Sequence, residues 1–233
     1  MLLPIPKVVP ADQLGEIQLV IKSGAFVSGK SSAVGSAARA KNNLQLGSQT
    51  NEARRASQLL LAALRASPTF QAASYPAAMT TPCFCKYEPG MSYGDHIDSP
   101  IMGGTPMLRC DIAVTVCLGD ASSYDGGDLV IDVAGVPQRW KGDAGDCLLY
   151  PADTLHRVEP VTRGERVVAV FWIQSLIREP GNRRILFDLA EVLEHLDRTG
   201  PPGPHVEKLR RSYINLIRLW SDSPPGSHVG LPS

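Results

Sequence analysis

Residues 146–175 read DCLLYPADTLHRVEPVTRGERVVAVFWIQS. An apolar run of strand length, a proline-containing turn, the segment LHRV and a longer apolar run follow one another with no helical period. His156 stands where the strand after the turn begins, and Arg166 opens the last apolar run. An arginine at the head of a buried strand is costly unless it meets an anion. The best partner is a planar carboxylate, which it grips with two N–H groups.

The same texture extends back to about Thr81, through TPCFCKYE, LRCDIAVTVCL, DLVIDV and PQRWK. Turn clusters such as GDASSYDGG and KGDAGD separate these runs. Many short strands between Gly/Asp turns point to a sandwich, barrel or jelly roll. On the N-terminal side the period is helical. Leu14, Ile17, Val20 and Ile21 form one stripe, and NEARRASQLLLAALRA sets Leu60, Leu61 and Leu64 on one side. Between these helices, SGKSSAVGSAARAKNNLQL is expected to be a loop leading into a short ordered segment.

After Glu179-Pro180-Gly181 the helical period returns. Ile185, Leu189, Val192, Leu193 and Leu196 make one stripe; Val206, Leu209, Tyr213, Leu216, Ile217 and Trp220 make a second. The break TGPPGP joins them, so a helical hairpin is expected. The organisation is therefore a unit 1–178 with N-terminal helices and a β core at about 81–175, a helical subdomain 179–222, and a tail 223–233 too poor in apolar residues to pack. The fold class is mainly β with flanking helices.

The totals exclude some functions. Apolar residues make up 43%, enough for a core, and 23 basic residues balance 23 acidic ones. A chain without a basic excess is not expected to bind nucleic acid or an anionic membrane through bulk charge. The opening MLLPIPKVVPADQ is too short and proline-broken for a secretory signal, and no run approaches the ~20 apolar residues of a membrane span. Five cysteines without such a signal suggest reduced thiols in a cytoplasm. Cys83 and Cys85 lack a second pair at zinc spacing and are expected to be core thiols.

Five histidines allow triage. His195 and His205 fall on the C-terminal helices and His228 in the tail, which leaves His96 and His156. His96 belongs to YGDHIDSP, with Asp98 two residues on; on a strand that spacing means one face. A hydrogen-bonded pair is the plain alternative for His96 and Asp98. Two histidines and a carboxylate on one side of a metal suit a non-haem Fe(II) oxygenase, and a zinc hydrolase uses similar ligands. Asp111, Asp128 and Asp146 are further carboxylates; turn capping accounts for the last two.

The run FCKYEPGMSYGDHIDSPIM, followed by RCDIAVTVCL, GGDLVI, GDCLLYPADTLHRVEPVTRGER and FWIQS, resembles the bacterial PKHD-type hydroxylases. These belong to the prolyl-4-hydroxylase-like branch of the Fe(II)/2-oxoglutarate dioxygenases. AKNNLQL and the C-terminal helices resemble the same family, so the likeness spans nearly the whole chain. It implies a double-stranded β-helix (jelly roll) core with His96, Asp98 and His156 as iron ligands. Arg166 would hold the distal carboxylate of 2-oxoglutarate, Tyr87 would support the cosubstrate, and Tyr93 would be structural.

The implied activity is hydroxylation with release of succinate and CO2, with L-ascorbate as reductant. The substrate would be an unidentified small molecule or peptide, the protein a cytoplasmic homo-oligomer, and the role linked to iron supply. Two alternatives stay open: a non-catalytic module sensing iron and 2-oxoglutarate, and a cupin-like metalloenzyme, which would leave Arg166 unexplained.

Overall fold

The computed structural model describes residues 2–32, 35–103, 107–200 and 203–222. The tail 223–233, expected to be flexible, lies outside the described residues, and His228 with it.

Two antiparallel sheets face each other. The larger orders its strands Leu3–Ile5, Cys147–Pro151, Ile112–Cys117, Arg166–Ser175, Cys83–Tyr87, Leu44–Leu46 and Phe26–Ser28. The ten-residue strand Arg166–Ser175 pairs with Cys83–Tyr87 along its first half and with Pro76–Met79 along its second. The smaller sheet orders Val136–Trp140, Leu129–Val133, His156–Val158, Ser92–His96 and Lys41–Asn42. This is the jelly roll, a double-stranded β-helix built on the apolar runs of the sequence.

The continuous apolar character of the central strands has a simple cause. Both faces of the larger sheet are covered, so alternation sorts residues between two buried layers rather than between core and water. From Ile112–Cys117, the side chains of Ile112, Val114 and Val116 join a core with Leu14, Ile17 and Leu60 of the N-terminal helices. Ala113 and Cys117 join a second core with Leu129, Ile131 and Val158 of the smaller sheet. The inner face carries small residues, Ala113 and Thr115, where the outer face carries Val114 and Val116. Space between the sheets follows from that choice.

Helices Ala11–Ser23 and Asn51–Ala66 pack on each other and on the outer face of the larger sheet. Thr50 caps the second through its side chain, accepting from Ala53 N–H at 3.1 Å, and Ser67 caps helix Pro68–Ser74 by accepting from Phe70 N–H at 3.2 Å. Leu60 and Leu64 are buried as expected. Leu61 is only partly so, and the small residues Ala53, Ala56 and Ala63 complete the packed face.

Two expectations are corrected, and one strand is added that the sequence reading did not include. The segment expected to be a loop leading into a short ordered stretch is more ordered than that across its described residues. It holds a short 3-10 turn at Gly29–Ser32, a helix at Gly35–Ala40 and the strands Lys41–Asn42 and Leu44–Leu46. The N-terminal Leu3–Ile5 is an edge strand on Cys147–Pro151, a place where Pro4 is tolerated because an edge leaves its missing N–H unneeded.

In helix Pro180–Thr199 the buried stripe is Leu186, Phe187 and Leu193, while Ile185 and Val192 are 46% and 47% exposed. The helix packs against both Pro68–Ser74 and Pro204–Trp220, which rotates its buried arc by a position. Arg183 joins that arc, donating to the carbonyls of Ile177 and Arg178 at 2.7 Å each. Helix Pro204–Trp220 half-buries the expected stripe and contains no fully buried residue. No helix among the described residues is long and apolar enough to cross a membrane.

Candidate active site

His96 and His156 are 60 positions apart in sequence but are direct partners across antiparallel strands of the smaller sheet. Their rings lie 4.2 Å apart, centroid to centroid. Asp98 is not on the strand, which ends at His96. The same-face argument therefore holds for the histidine alone. The chain instead turns after His96 and returns the Asp98 carboxylate to the two rings. Its Oδ1 is 3.9 Å from His96 Nε2 and its Oδ2 is 3.8 Å from His156 Nε2.

Both imidazoles are oriented from behind. His96 Nδ1 is 2.8 Å from the Gly94 carbonyl and His156 Nδ1 is 2.9 Å from the Thr154 carbonyl. A carbonyl only accepts, so each Nδ1 carries a proton, and the Nε2 of each ring is the atom turned toward Asp98. Tyr93 stacks on His96 at 3.6 Å, 15° from parallel, which agrees with a structural role, and Tyr150 meets His156 edge-on. Burial, and secondarily the neighbouring His156, push His96 down to about 4, so its ring is neutral at physiological pH. Trp172 Nε1–H donates to Asp98 Oδ2 at 2.8 Å and fixes the carboxylate.

This donor set fits a divalent metal. The three ligand atoms all lie within 4.8 Å of one another, and both histidines are buried. Two imidazoles and one carboxylate leave the other side open, as in non-haem Fe(II) sites. The other candidate carboxylates are committed elsewhere. Asp111 accepts from Arg109 at 2.7 and 3.0 Å and from Ser175 N–H at 2.8 Å, Asp128 pairs with Arg139, and Asp146 accepts from the backbone N–H groups of Lys7 and Asp143. All five cysteines are free thiols. Three are buried, and Cys83 and Cys110 only partly so.

Arg166 comes from the opposite sheet. It is 3% exposed and pairs in register with Tyr87, its guanidinium carbon 5.2 Å from that ring's centre. Burial raises the Tyr87 hydroxyl well above its usual range, with Arg166 pulling the other way, so it stays a donor. No carboxylate lies within 4.0 Å of the guanidinium among the described residues. Gly127, at φ +67°, lies against the Arg166 stem, where a Cβ would sit 3.1 Å from Cδ and 2.9 Å from Val161 Cγ2. A cavity of about 390 Å³ runs between the sheets and is lined by His96, Asp98, His156, Tyr87 and Arg166 alike.

Trp172 was not singled out from the sequence, although a signal existed. Strand alternation puts residues 166, 168, 170 and 172 on one face, so an inward Arg166 implies an inward Trp172. Lys41 and Asn43 also line the cavity. They sit in AKNNLQL, at the end of the segment expected to be a loop leading into a short ordered stretch; the resemblance covered that run but gave neither residue a role.

A jelly roll with an open His/Asp/His site and a buried arginine in one cavity defines the class of Fe(II)/2-oxoglutarate-dependent dioxygenases, and the comparisons agree. A family model described as the 2OG-Fe(II) oxygenase superfamily matches residues 83–174, and one described as the PKHD-type hydroxylase C-terminal domain matches residues 181–222. A PKHD-type hydroxylase of Xanthomonas campestris is 40% identical over 227 residues, covering 95% of this chain and 100% of the relative. One of Methylobacterium nodulans is 37% identical over 226 residues, with the same coverage.

Among solved structures, a prolyl hydroxylase of Trichoplax adhaerens in complex with a peptide fragment of hypoxia inducible factor superposes with a TM-score of 0.57. It is 17% identical and covers 79% of this chain and 86% of its own. A collagen prolyl hydroxylase of Paramecium bursaria Chlorella virus-1, as a 2-oxoglutarate complex, gives 0.52 at 16% identity, covering 75% and 96%. These two share the fold. The chain belongs to the PKHD-type hydroxylase family. It is an oxidoreductase whose cofactor is Fe(II) and whose cosubstrate is 2-oxoglutarate.

Proposed function

We propose that His96, Asp98 and His156 ligate Fe(II), and that Arg166 with the Tyr87 hydroxyl grips the distal carboxylate of 2-oxoglutarate. The enzyme then hydroxylates a C–H bond of a small molecule or peptide and releases succinate and CO2. The observation that carries this is the buried Arg166 without a carboxylate partner, in the same cavity as the His/Asp/His cluster. Burying an unpaired cation is strongly unfavourable, so a site that keeps one is built for an anion. A hydrolytic zinc site or a cupin-like metalloenzyme gives that charge no task.

When bound, Fe(II) with 2-oxoglutarate supplies the dioxygen chemistry, and L-ascorbate is its reductant in this reading. The chain's own contribution is positional. Carbonyls behind His96 and His156 keep each Nε2 available, Trp172 orients the carboxylate, and Arg166 fixes the far end of the cosubstrate. The apolar inner face, with Leu129, Val158 and Val170, keeps bulk water from the reacting centre. A role linked to iron supply is consistent with the family resemblance.

The test is anaerobic titration with Fe(II) and 2-oxoglutarate. Binding of the keto acid to Fe(II) held at this site would be reported by a weak visible charge-transfer band. His96→Ala, Asp98→Ala and His156→Ala should each abolish the band. Three variants with the parent's absorbance would remove the ligand assignment.

A further inference from the structure

Arg166 is not the only buried cation in the cavity. Lys41 is 8% exposed and lines the same space, on the side of His96 and Tyr93. Its Nζ donates to Ser32 Oγ at 2.8 Å and lies 5.1 Å from the centre of the Tyr93 ring, the ring that stacks on His96. Among the described residues no acidic side chain lies within 4.0 Å of it. An ammonium has three donors, and one hydroxyl and one aromatic face leave it short of acceptors and of a countercharge.

A second observation falls two residues on. Asn43 is 3% exposed, neither its amide nitrogen nor its amide oxygen makes a hydrogen bond within 3.5 Å, and the Tyr87 hydroxyl is the polar group beside it. Buried polar groups are nearly always satisfied; here the Asn43 Oδ1 packs against Gly29, which leaves the amide nitrogen as the donor open to a ligand in the cavity. The backbone explains why both residues face one space. Lys41–Asn42 pairs with the smaller sheet through Tyr93, and Leu44–Leu46 pairs with the larger sheet through Lys86. Asn43 is where the chain crosses between the sheets.

The cosubstrate cannot use all of these groups. On the reading above, its distal carboxylate would be held by Arg166 and its keto-acid end would lie at the His/Asp/His site. Lys41 therefore has a charge to spare. We infer that Lys41 and Asn43 form a subsite for an anionic group of the substrate, and that the substrate is a small organic acid whose carboxylate docks there while a C–H bond faces the metal site. This deepens the proposed function and rests on it. The cavity, at about 390 Å³, is near the small end of ligand pockets, which suits a small acid beside the cosubstrate. Ile97 and Met102 on the lining offer its carbon skeleton an apolar wall.

The test uses the full chain loaded with Zn(II) and saturating 2-oxoglutarate, so that Arg166 is already occupied and no turnover occurs. Trifluoroacetate serves as the carboxylate probe, followed by fluorine NMR line broadening, with trifluoroacetamide as the neutral control. The parent should bind trifluoroacetate saturably and ignore the amide. Lys41→Met should weaken the probe about tenfold or more, as loss of a charge-assisted contact implies. Lys41→Arg should retain it.

The affinity of Lys41→Met for 2-oxoglutarate, which also reports that the variant folds, should stay within threefold of the parent. Equal probe binding by the parent and Lys41→Met, or none by the parent, would overturn the subsite. A loss of 2-oxoglutarate affinity in Lys41→Met would overturn it too, by assigning the lysine to the cosubstrate. A parent protein that takes up no 2-oxoglutarate at all would fail the functional reading itself, a distinct outcome seen before any probe is added.

Discussion

At the scale of the residue, the Asp98 carboxylate is held by something the sequence motif does not contain. Trp172 Nε1–H reaches it from a different sheet at 2.8 Å. Groups that orient a ligand typically matter to metal affinity by roughly 10–100-fold. Trp172→Phe removes the donor together with one of the two fused rings, at a position that is only partly buried. It should weaken Fe(II) or Zn(II) binding within that range while leaving the unfolding midpoint of the metal-free protein little changed; metal affinity equal to the parent's would show that Asp98 needs no such support.

His96 gives a second prediction. Its ordinary value of 6.5 falls to about 4 in the fold, chiefly through burial. The unfolded chain therefore binds the proton at a pH where the folded chain does not. Stability is fully present above the unfolded value and is lost as pH falls from 6.5 toward 4. For metal-free protein the loss between pH 7 and pH 5 attributable to this residue is on the order of 2 kcal/mol. Urea unfolding at the two pH values measures it, and His96→Gln should flatten the difference. An unchanged slope in that variant would place the pH dependence elsewhere.

At the scale of the element, what was legible depended on whether one strand's own pattern carried the information. The runs IAVTVC and RVVAVFWIQS are apolar on both faces and rich in β-branched residues, so they read as strands without help. His156 and Arg166 stood out in the sequence because a charged or titratable residue at the margin of such a strand is conspicuous, and the structure brings both to one cavity. The strand Pro76–Met79, reading PAAM, has no β signature and forms because the second half of Arg166–Ser175 leaves an edge to pair. Lys41 and Asn43 were invisible for a similar reason, since their burial comes from a crossing between sheets.

The C-terminal helices were legible as helices, but the buried arc of the first depends on two neighbours at once. Their anchor is partly polar, a hydrogen bond of 2.6 Å between the Tyr75 and Tyr213 hydroxyls, with the Ile177–Ser221 bridge beside it. Tyr213→Phe removes one partner and should cost about 0.5–1.5 kcal/mol. Denaturant unfolding of the parent and variant measures this, and metal affinity should not move. If metal affinity fell as far as stability, the hairpin would be coupled to the site rather than packed beside the jelly roll.

At the scale of the whole molecule, the candidate site belongs to neither sheet alone. His96 and His156 are neighbours on the smaller sheet, Tyr87 and Arg166 are neighbours on the larger one, and the cavity is the space between them. On the proposed reading the two ends of the cosubstrate would fall to the two layers, and small residues such as Ala113 and Thr115 leave room between them where it would lie. The fold supplies this distance, and the apolar packing of both sheets fixes it. The most direct test of that account is the affinity of 2-oxoglutarate for the metal-loaded parent and for Arg166→Ala, measured by anaerobic calorimetry with metal affinity determined alongside. Two charge-assisted hydrogen bonds contribute on the order of 3 kcal/mol together, so the variant should bind 2-oxoglutarate on the order of a hundredfold more weakly. Its affinity for Fe(II) should match the parent's, and Arg166→Lys should recover only part of the loss, because an ammonium lacks the planar fork. An Arg166→Ala variant that binds 2-oxoglutarate as tightly as the parent would contradict the account at its centre.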